Sequence, residues 1–238
     1  ASFPRALLGR YAKLDAGDKS AAIQTLASRP SYGNELTAAI QSGAVPRRDV
    51  PAYVVRQLRR VVGPGFVDVW GAVESLSADK AAAFARYRAL LTDGALERGN
   101  VHNGRAVYER TCFACHKLYG QGGEIGPDIT GSNRANLDYI LENILNPSGE
   151  IPEGYQLLLV TTRGGQTLAG TLASENDQQL VLRVVGLPPV TVAKSEIQSR
   201  ESIPTSMMPE GLLASLRDRD VIDLIRYLRT TKQVAKPE

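Results

Sequence analysis

The sequence predicts a mainly α-helical protein, with a small antiparallel β barrel or sheet placed among the helices and an array of short helices at the N-terminus. Three patterns in the 238 residues predict this class. Apolar residues recur at the i, i+3/i+4, i+7 spacing of helices from Pro4 to Thr92. They alternate with polar residues between Tyr155 and Ile203, which is typical of strands. Helical spacing then returns after Pro209.

The composition is that of an ordinary globular protein and argues against two classes of partner. Hydrophobic residues make up 43% of the chain and charged residues 22%. No apolar run, such as Leu157 to Val160, approaches the roughly 18 residues of a membrane-spanning helix, so no membrane span is expected. A formal net charge of +3 is too small to indicate nucleic acid as a partner.

Residues 1–98 are expected to form one domain, an array of about five short helices. Such arrays usually present surfaces to partners, so one hypothesis makes this region a scaffold that positions the rest of the molecule on a larger complex. The helices have the look of HEAT-type pairs, although the sequence shows no fixed period. Breaks between helices are expected at Arg29-Pro30, Gly43 to Pro46, Gly63 to Gly65 and Thr92 to Gly94.

The helical pattern resumes at Gly104 and leads into the sequence Cys112-Phe113-Ala114-Cys115-His116. A glycine-rich loop, Gly120 to Gly131, is followed by an amphipathic helix. Near the C-terminus, Pro209 is expected to open a short helix that runs to Leu216, and Asp218 to cap a last helix. The apolar faces of the two amphipathic helices carry Leu137, Ile140, Leu141, Ile144 and Leu145, and Val221, Leu224, Ile225 and Leu228.

Between these helices, residues 155–203 are expected to form four or five short strands, enough to close into a small barrel or to curl into a sheet. Turn residues separate the runs at Arg163 to Gly165, Glu175 to Asp177 and Gly186 to Pro189. The apolar positions of the alternating pattern are Leu157, Leu159, Leu168, Leu172, Leu180, Leu182, Val184, Val190 and Val192.

The motif Cys112-x-x-Cys115-His116 has the spacing of a c-type haem attachment site. Two thiols at this spacing add to the vinyl groups at the porphyrin edge, and the adjacent imidazole reaches one axial position of the iron. The sequence therefore predicts one covalently bound haem c, with Cys112 and Cys115 as attachment residues and His116 as an axial ligand.

Three other uses of this cysteine pair fit the sequence less well. A thioredoxin-like redox pair needs a strand before the motif and a helix that begins at its first cysteine, whereas a helix precedes this motif and a glycine loop follows it. A structural zinc ion needs two further ligands, and only His102 remains outside the motif. A structural disulfide between Cys112 and Cys115 is sterically poor at this spacing.

The second axial ligand has only three candidates, because low-spin c-type haem takes a methionine sulfur or a second imidazole. His102 lies on or just before the helix that leads to the motif, which makes the far side of the haem difficult to reach. Met207 and Met208 lie in an irregular segment between the strands and the last helices, where they can be presented to the haem. The alternative is that both methionines only fill gaps in a core.

A methionine ligand implies that the strands are an insertion. His116 and Met208 are 92 residues apart in the sequence, which is long for one compact haem domain. Removing residues 155–203 leaves residues 99–154 and 204–238, which together have the size of a complete small haem domain. The expected domains are therefore 1–98, the split haem domain and the inserted β subdomain.

The residues of the haem segment resemble the class I cytochromes c. The resemblance implies a small helical cytochrome c domain in which Gly104 and Tyr108 pack against Tyr227 of the last helix. It implies that the carbonyl group of Pro127 accepts a hydrogen bond from His116, and that the methionine before a proline, Met208, is the second ligand. The motifs that carry it are Gly104 and Tyr108, Cys112 to His116, Gly126-Pro127-Asp128-Ile129-Thr130-Gly131, Met208-Pro209, Leu224 and Tyr227-Leu228.

The combination with the insertion is similar to haem-binding domains of planctomycete and verrucomicrobial type, which stand at the C-terminal end of large exported, dehydrogenase-like proteins. This resemblance covers about Asn103 to Leu228 and implies a redox partner protein or a fused dehydrogenase domain. The extra Met207 departs from the pattern. The matching segments are Gly126 to Gly131, Asn133-Arg134, Asn143 to Pro147 and Met208 to Leu212.

The inserted segment also has the look of Sm-like or SH3-like barrels, through Arg163 to Gly170 and Val192 to Arg200. An RNA-binding role is not expected, because the segment offers no aromatic stacking platform beyond Tyr155. The insertion is expected instead to cover an edge of the haem or to contact a neighbouring protein.

These features predict an electron-transfer protein rather than an enzyme. The alternative is a haem-based gas sensor or a peroxidase-like enzyme, in which a displaceable methionine opens the iron. Because haem is attached to thiols after export, the compartment is expected to be periplasmic or otherwise extracytoplasmic, in a bacterium. No signal peptide is present at Ala1, so either it has been removed or the chain is an excised domain of a longer protein.

Overall fold

A computed structural model describes residues 2–71 and 76–235. Helices account for 47% of the structure and strands for 17%. The expectation of a mainly α-helical chain with a small helical cytochrome domain is therefore wrong in its emphasis, since a five-stranded sheet is a major part of the fold. The chain divides into two compact units, Ala1–Ser77 and Ala78–Glu238.

The first unit is helical and is organised around its third helix, α3, which contacts α1, α2, α4 and α5. The predicted breaks coincide with helix ends: Pro30 begins α3, and Gly63-Pro64 separates α4 from α5. The likeness to HEAT-type pairs stays a prediction. The helices are α1 (Phe3–Leu8), α2 (Ala16–Leu26), α3 (Pro30–Gln41), α4 (Ala52–Val62) and α5 (Pro64–Trp70), with 3-10 turns at Tyr11–Lys13 and Arg47–Asp49.

The second unit begins at Ala78 and contains the remaining helices, and the domain limits expected from the sequence stay a prediction. The predicted helix from Pro209 to Leu216 is a 3-10 turn at Leu212–Ser215. The last helix begins at Asp218, so Arg217 occupies the N-cap position, and its side chain makes no capping hydrogen bond. The helices are α6 (Ala78–Leu90), α7 (Asp93–Glu97), α8 (Val101–Thr111), α9 (Leu137–Leu145) and α10 (Asp218–Leu228).

Helices α8 and α10 form the main helix pair of this unit. Their backbones approach so closely at Gly104 that a Cβ atom there would lie 2.0 Å from the carbonyl oxygen of Asp223. One turn further on, the rings of Tyr108 and Tyr227 pack with their centroids 5.5 Å apart, and both are almost fully buried. A side chain at position 104 would therefore separate the two helices.

We expect Gly104→Ala to lower the free energy of unfolding by at least about 2 kcal/mol, because backbone atoms cannot move aside as a flexible side chain can. Denaturant unfolding followed by circular dichroism measures the change. Gly94→Ala in α7 is the matched control, since its Cβ atom would meet only the mobile end of Arg98, and it should change the free energy by less than about 1 kcal/mol. Equal losses in the two variants would contradict the close-packing argument.

Asp220 is the buried anion at the start of α10. Its carboxylate accepts hydrogen bonds from Arg217 Nε at 2.9 Å and from Asn103 Nδ2 at 3.2 Å, and Arg110 lies 3.6 Å away. The hydrogen bond from Arg217, followed by those from Asn103 and the nearby positive charges, lowers the pKa of Asp220 below its usual value. The ionised form is therefore favoured by folding.

Folding lowers the pKa of Asp220. The ionised carboxylate therefore stabilises the folded protein at pH values above the unfolded-state pKa, and this stabilisation is lost as the pH falls through the folded-state pKa. We expect Asp220→Asn to cost about 1–3 kcal/mol near neutral pH and progressively less below about pH 4. Asp218→Asn is the control, because Asp218 pairs with Arg86 at an exposed site. Unfolding curves from pH 3 to about 7 test this; a difference between wild type and Asp220→Asn that does not change with pH would contradict it.

The β structure consists of a short hairpin and an open five-stranded antiparallel sheet with the strand order β6-β5-β4-β3-β7. Among the described residues, β6 and β7 do not pair, so the predicted alternative of a closed barrel is wrong; a 3-10 turn at Lys194–Glu196 joins the two edge strands. The strands are β1 (Lys117–Leu118), β2 (Gln121–Gly122), β3 (Gln156–Thr162), β4 (Thr167–Glu175), β5 (Gln179–Arg183), β6 (Val190–Ala193) and β7 (Ile197–Ser206).

The inner face of the sheet corrects one detail of the predicted pattern. On β3 the buried residues are Leu158 and Val160, whereas Leu157 and Leu159 are only partly buried. The run from Leu157 to Val160 is apolar on both faces, so alternation cannot indicate which face points inward. The core of the sheet consists of Leu158, Val160, Leu168, Leu180, Leu182 and Val192.

Candidate functional site

The Cys112 to His116 motif folds as a tight turn at the C-terminal end of α8. The carbonyl oxygen of Cys112 accepts hydrogen bonds from the backbone N–H groups of Cys115 at 3.1 Å and of His116 at 2.9 Å. The hydroxyl group of Tyr108, on the preceding helix, donates to the carbonyl oxygen of His116 at 2.7 Å. Both thiols and the imidazole line one cleft as a result.

A short hairpin, β1–β2, follows the motif directly. Its two turn residues, Tyr119 and Gly120, both have positive φ angles, of 54° and 75°. This is the backbone of a two-residue hairpin turn that matches the twist of the strands. The hairpin returns the chain to the motif, where Gly123 N donates to the carbonyl oxygen of Phe113 at 2.8 Å. The sequence indicated only a glycine-rich loop here.

The loop after the hairpin holds the His116 ring. Nδ1 of His116 lies 2.9 Å from the carbonyl oxygen of Pro127, and because a carbonyl oxygen only accepts, Nδ1 carries the proton. Nε2 is then the nitrogen with a free lone pair. A Cβ atom on Gly126 would lie 2.5 Å from Cε1 of His116, so only glycine allows the loop to contact the flat side of the ring.

The cleft has a volume of about 290 Å³ and is walled mainly by apolar side chains. It brings together Cys112, Cys115, His116, Pro127 and Met208, which are all the site residues predicted from the sequence, and it includes Met207 as well. His102 is not among the lining residues, and its Nδ1 lies 3.0 Å from the carbonyl oxygen of Ala235. The apolar part of the lining includes Ile125, Ile129, Ile140, Ile144, Pro147, Ile151, Pro152, Val185, Leu212 and Leu228.

The segment that carries the two methionines is fixed at several points. Met208 N donates to Ser206 Oγ at 3.1 Å, and Ser206 N donates to Ser148 Oγ at the same distance. Lys80 Nζ donates to Glu210 at 2.7 Å, two residues beyond Met208. Met208 also packs against the helical core of the unit. These contacts hold the segment in place beside the cleft.

The five-stranded sheet and the residues beside it form part of the cleft wall, through Thr171 on β4, Tyr155 just before β3 and Val185 just after β5. Thr171 is 1% exposed, and its hydroxyl donates to the carbonyl oxygen of Ile125 at 3.1 Å. The sequence predicted that the insertion covers an edge of the haem or contacts a neighbouring protein, and it did not identify these residues. The local sequence does not indicate these residues, because their contacts with the loop form only when the sheet folds against it.

Arg134 is a further lining residue that the sequence argument did not use as a site residue. Its guanidinium group is buried and donates to the carbonyl oxygens of Ile129 at 2.8 Å, Thr130 at 2.8 Å and Thr230 at 2.9 Å, as well as to the carbonyl of Leu228. These bonds tie the loop of the motif to the end of α10.

The surroundings of the two thiols disfavour the thiolate form that a redox nucleophile needs. Burial raises the pKa of Cys112 and of Cys115 above the ordinary thiol value. Cys112 also stands at the C-terminal end of α8, where the helix dipole disfavours a thiolate. Over residues 2–71 and 76–235 there is no group of three or more His, Cys, Asp or Glu side chains suited to hold a metal ion. The donor set therefore fits thiol addition to a haem better than a redox pair or a zinc site.

The Cys112 to His116 motif, the loop of Gly126 and Pro127 and the segment of Met207 and Met208 thus surround one apolar cleft. Residues 99–157 match the family model described as cytochrome C oxidase, cbb3-type, subunit III. The chain thus contains a cytochrome c domain, which implies covalently bound haem c with its iron and a role in haem-based electron transfer with a redox partner. No curated protein shows significant similarity to the chain. No helix in the described part of the chain is long and apolar enough to cross a membrane.

Proposed function

We propose that the protein is a c-type cytochrome that carries one haem with His116 and Met208 as axial ligands and transfers single electrons to and from a redox partner. The observation that carries the proposal is the convergence of Cys112, Cys115, His116 and Met208 on one apolar cleft. When bound, haem iron supplies one-electron chemistry by cycling between Fe(III) and Fe(II).

The geometry of His116 supports its role as the proximal ligand. The hydrogen bond from Nδ1 to the carbonyl oxygen of Pro127 fixes the tautomer and the ring orientation, and it leaves Nε2 to donate to iron. The same hydrogen bond makes the imidazole a stronger electron donor. The glycine at position 126 lets the backbone lie against the ring, which limits its rotation.

Met208 is proposed as the second ligand for two reasons. It lines the cleft, and its backbone N–H donates to Ser206, which fixes the backbone position from which the side chain extends. A thioether ligand favours the ferrous state, and the apolar wall of the cleft does the same because it disfavours the extra charge of the ferric form. Met207 also lines the cleft, which makes a comparison of the two sulfurs the decisive test.

The lining of the cleft supports electron transfer over a peroxidase-like reaction. Peroxide activation needs an imidazole or a guanidinium group free to act on a substrate bound at iron. The only imidazole among the lining residues is His116, and Arg134 donates to backbone carbonyl oxygens and to the hydroxyl oxygen of Tyr119. A gas sensor, in which the methionine is displaced, is the alternative outcome of the ligand tests.

We further propose that the chain works as a module of a larger, dehydrogenase-like protein outside the bacterial cytoplasm. The motif supports this location, because haem is attached to thiols after export and both cysteines are free for that attachment. The redox partner is then either a fused dehydrogenase domain or a separate protein. The helices of residues 2–71 are proposed to position the haem module on that partner.

A spectroscopic redox titration tests the electron-transfer function. The protein, produced with a c-type maturation system, should show one reversible transition with the slope of a one-electron couple and no change in ligation between the two states. Addition of hydrogen peroxide to the reduced protein should give simple oxidation without turnover of a peroxidase dye. Sustained dye turnover, or a transition that is irreversible because a ligand exchanges, would contradict the proposal.

A further inference from the structure

The inserted sheet reaches the loop that holds the proximal histidine through one buried hydroxyl group. Thr171 lies on β4, is 1% exposed, and its Oγ1 donates to the carbonyl oxygen of Ile125 at 3.1 Å. Ile125 directly precedes Gly126 and Pro127, whose contacts with the His116 ring are described above. The carbonyl group that the Thr171 hydroxyl holds is therefore only two residues before Pro127, whose carbonyl oxygen accepts the imidazole proton.

The sheet is held rigidly at this point. Arg183, the partner of Thr171 on β5, donates to the carbonyl oxygen of Leu172 at 2.6 Å and lies over the ring of Tyr155. A Cβ atom on Gly170 would lie 2.4 Å from the carbonyl oxygen of Arg183, so the two strands are in close contact beside Thr171. The close packing of the two strands therefore fixes the position of the Thr171 hydroxyl that bonds to the loop.

The loop has other anchors on the side of the motif. Gly126 N donates to the carbonyl oxygen of Cys115 at 2.8 Å, and Ile129 N donates to that of Lys117 at 2.9 Å. Both of these bonds fix N–H groups of the loop, whereas the bond from Thr171 fixes a carbonyl oxygen from the side of the sheet. The loop is consequently clamped between the motif and the insertion.

We propose that Thr171 is a positioning residue for His116: through its hydroxyl, the inserted sheet holds the loop of Ile125 to Pro127 against the imidazole and so maintains the Nδ1 hydrogen bond to Pro127. This inference rests on the proposed function, in which His116 binds haem iron. It gives the insertion a role within the haem site, since the strength of this hydrogen bond sets the electron donation of the imidazole.

The test compares Thr171→Val, which keeps the shape of the side chain but removes the hydroxyl, with Thr171→Ser, which retains it. In the reduced holoprotein, NMR follows exchange of the His116 Nδ1 proton with deuterated water. We expect exchange about tenfold faster in Thr171→Val, because loss of one hydrogen bond increases local opening by about this factor. The midpoint potential should rise, since a weaker donor stabilises the ferric iron less. Thr171→Ser should restore both values.

Thr167→Val is the matched control on the same strand, because the hydroxyl of Thr167 bonds only to that of Thr161 at an exposed site among the contacts described. It should leave both the exchange rate and the potential unchanged, and backbone amides of α8 should exchange at the wild-type rate in every variant. If Thr171→Val does not take up haem, Thr171→Ala and Thr171→Ser provide a second pair, in which only the serine has a hydroxyl.

The inference is overturned if exchange and potential are the same in Thr171→Val as in wild type, if Thr171→Ser behaves like the valine variant, or if Thr167→Val has an equal effect. A failure of the proposed function is distinguishable, since the wild-type protein would then show no signal of an iron-bound imidazole at all. That result would overturn both proposals, whereas an unchanged signal in Thr171→Val would overturn only the role of the insertion.

Discussion

Replacement of His116 by alanine is expected to abolish the low-spin spectrum of the haem completely while the haem stays attached. The imidazole is the only one that lines the cleft in the described part of the chain, so no second histidine is placed to substitute for it. Cys112 and Cys115 are unchanged in the variant, so both can still form thioether bonds to the porphyrin. Absorption spectra of the oxidised and reduced variant, together with its intact mass, measure ligation and attachment separately.

His102→Ala is the matched control for this experiment. His102 lies on the first turn of α8, and its Nδ1 is 3.0 Å from the carbonyl oxygen of Ala235, away from the lining of the cleft. Its removal should leave the haem spectrum unchanged. A wild-type spectrum in His116→Ala, or loss of the low-spin state in His102→Ala, would show that the imidazole has been assigned to the wrong residue.

Replacement of Met208 by alanine should open one axial position of the iron. The expected result is rapid and complete carbon monoxide binding by the reduced variant, loss of the weak long-wavelength band of methionine-ligated ferric haem, and a lower midpoint potential, because a thioether raises the potential. Attachment and the folding of the sheet should be preserved, since Ser206 and Glu210 keep their contacts on either side. Stopped-flow mixing with carbon monoxide measures the rate.

Met207→Ala separates the two sulfurs within the same segment. Met207 lines the cleft, whereas Met208 both lines it and packs against the helical core. We expect Met207→Ala to retain methionine ligation and to remain closed to carbon monoxide. The opposite pattern, with carbon monoxide binding only in Met207→Ala, would assign the sulfur to Met207. Unchanged spectra in both single variants and in the double variant would exclude methionine ligation altogether.

The parts of the site that lie close together in the sequence could be predicted from the sequence. The spacing of Cys112, Cys115 and His116 indicates haem attachment because the chemistry requires that spacing. The apolar period from Leu137 to Leu145 predicted α9, and all of its predicted apolar residues lie on that helix. The place of Pro127 in the site came from resemblance, and its carbonyl oxygen lies 2.9 Å from Nδ1 of His116.

The parts that depend on long-range packing were not predictable in this way. Whether the strands close into a barrel depends on pairing between β6 and β7, and alternation within each strand contains no information about that pairing. The bond between Thr171 and Ile125 joins residues 46 positions apart. Likewise, helices α6 and α7 share the spacing of the preceding helices, yet they pack in the second unit, where Lys80 contacts Glu210.

The protein is proposed to carry a covalently bound, low-spin haem with imidazole and thioether ligands. The most direct test is the absorption spectrum of the wild-type protein, made with a c-type maturation system and recorded oxidised, reduced, and reduced under carbon monoxide. We predict a low-spin spectrum with the long-wavelength methionine band in the oxidised state and no response to carbon monoxide. A high-spin spectrum, or rapid carbon monoxide binding by the wild-type protein, would contradict the closed electron carrier and indicate an iron that is open to ligands.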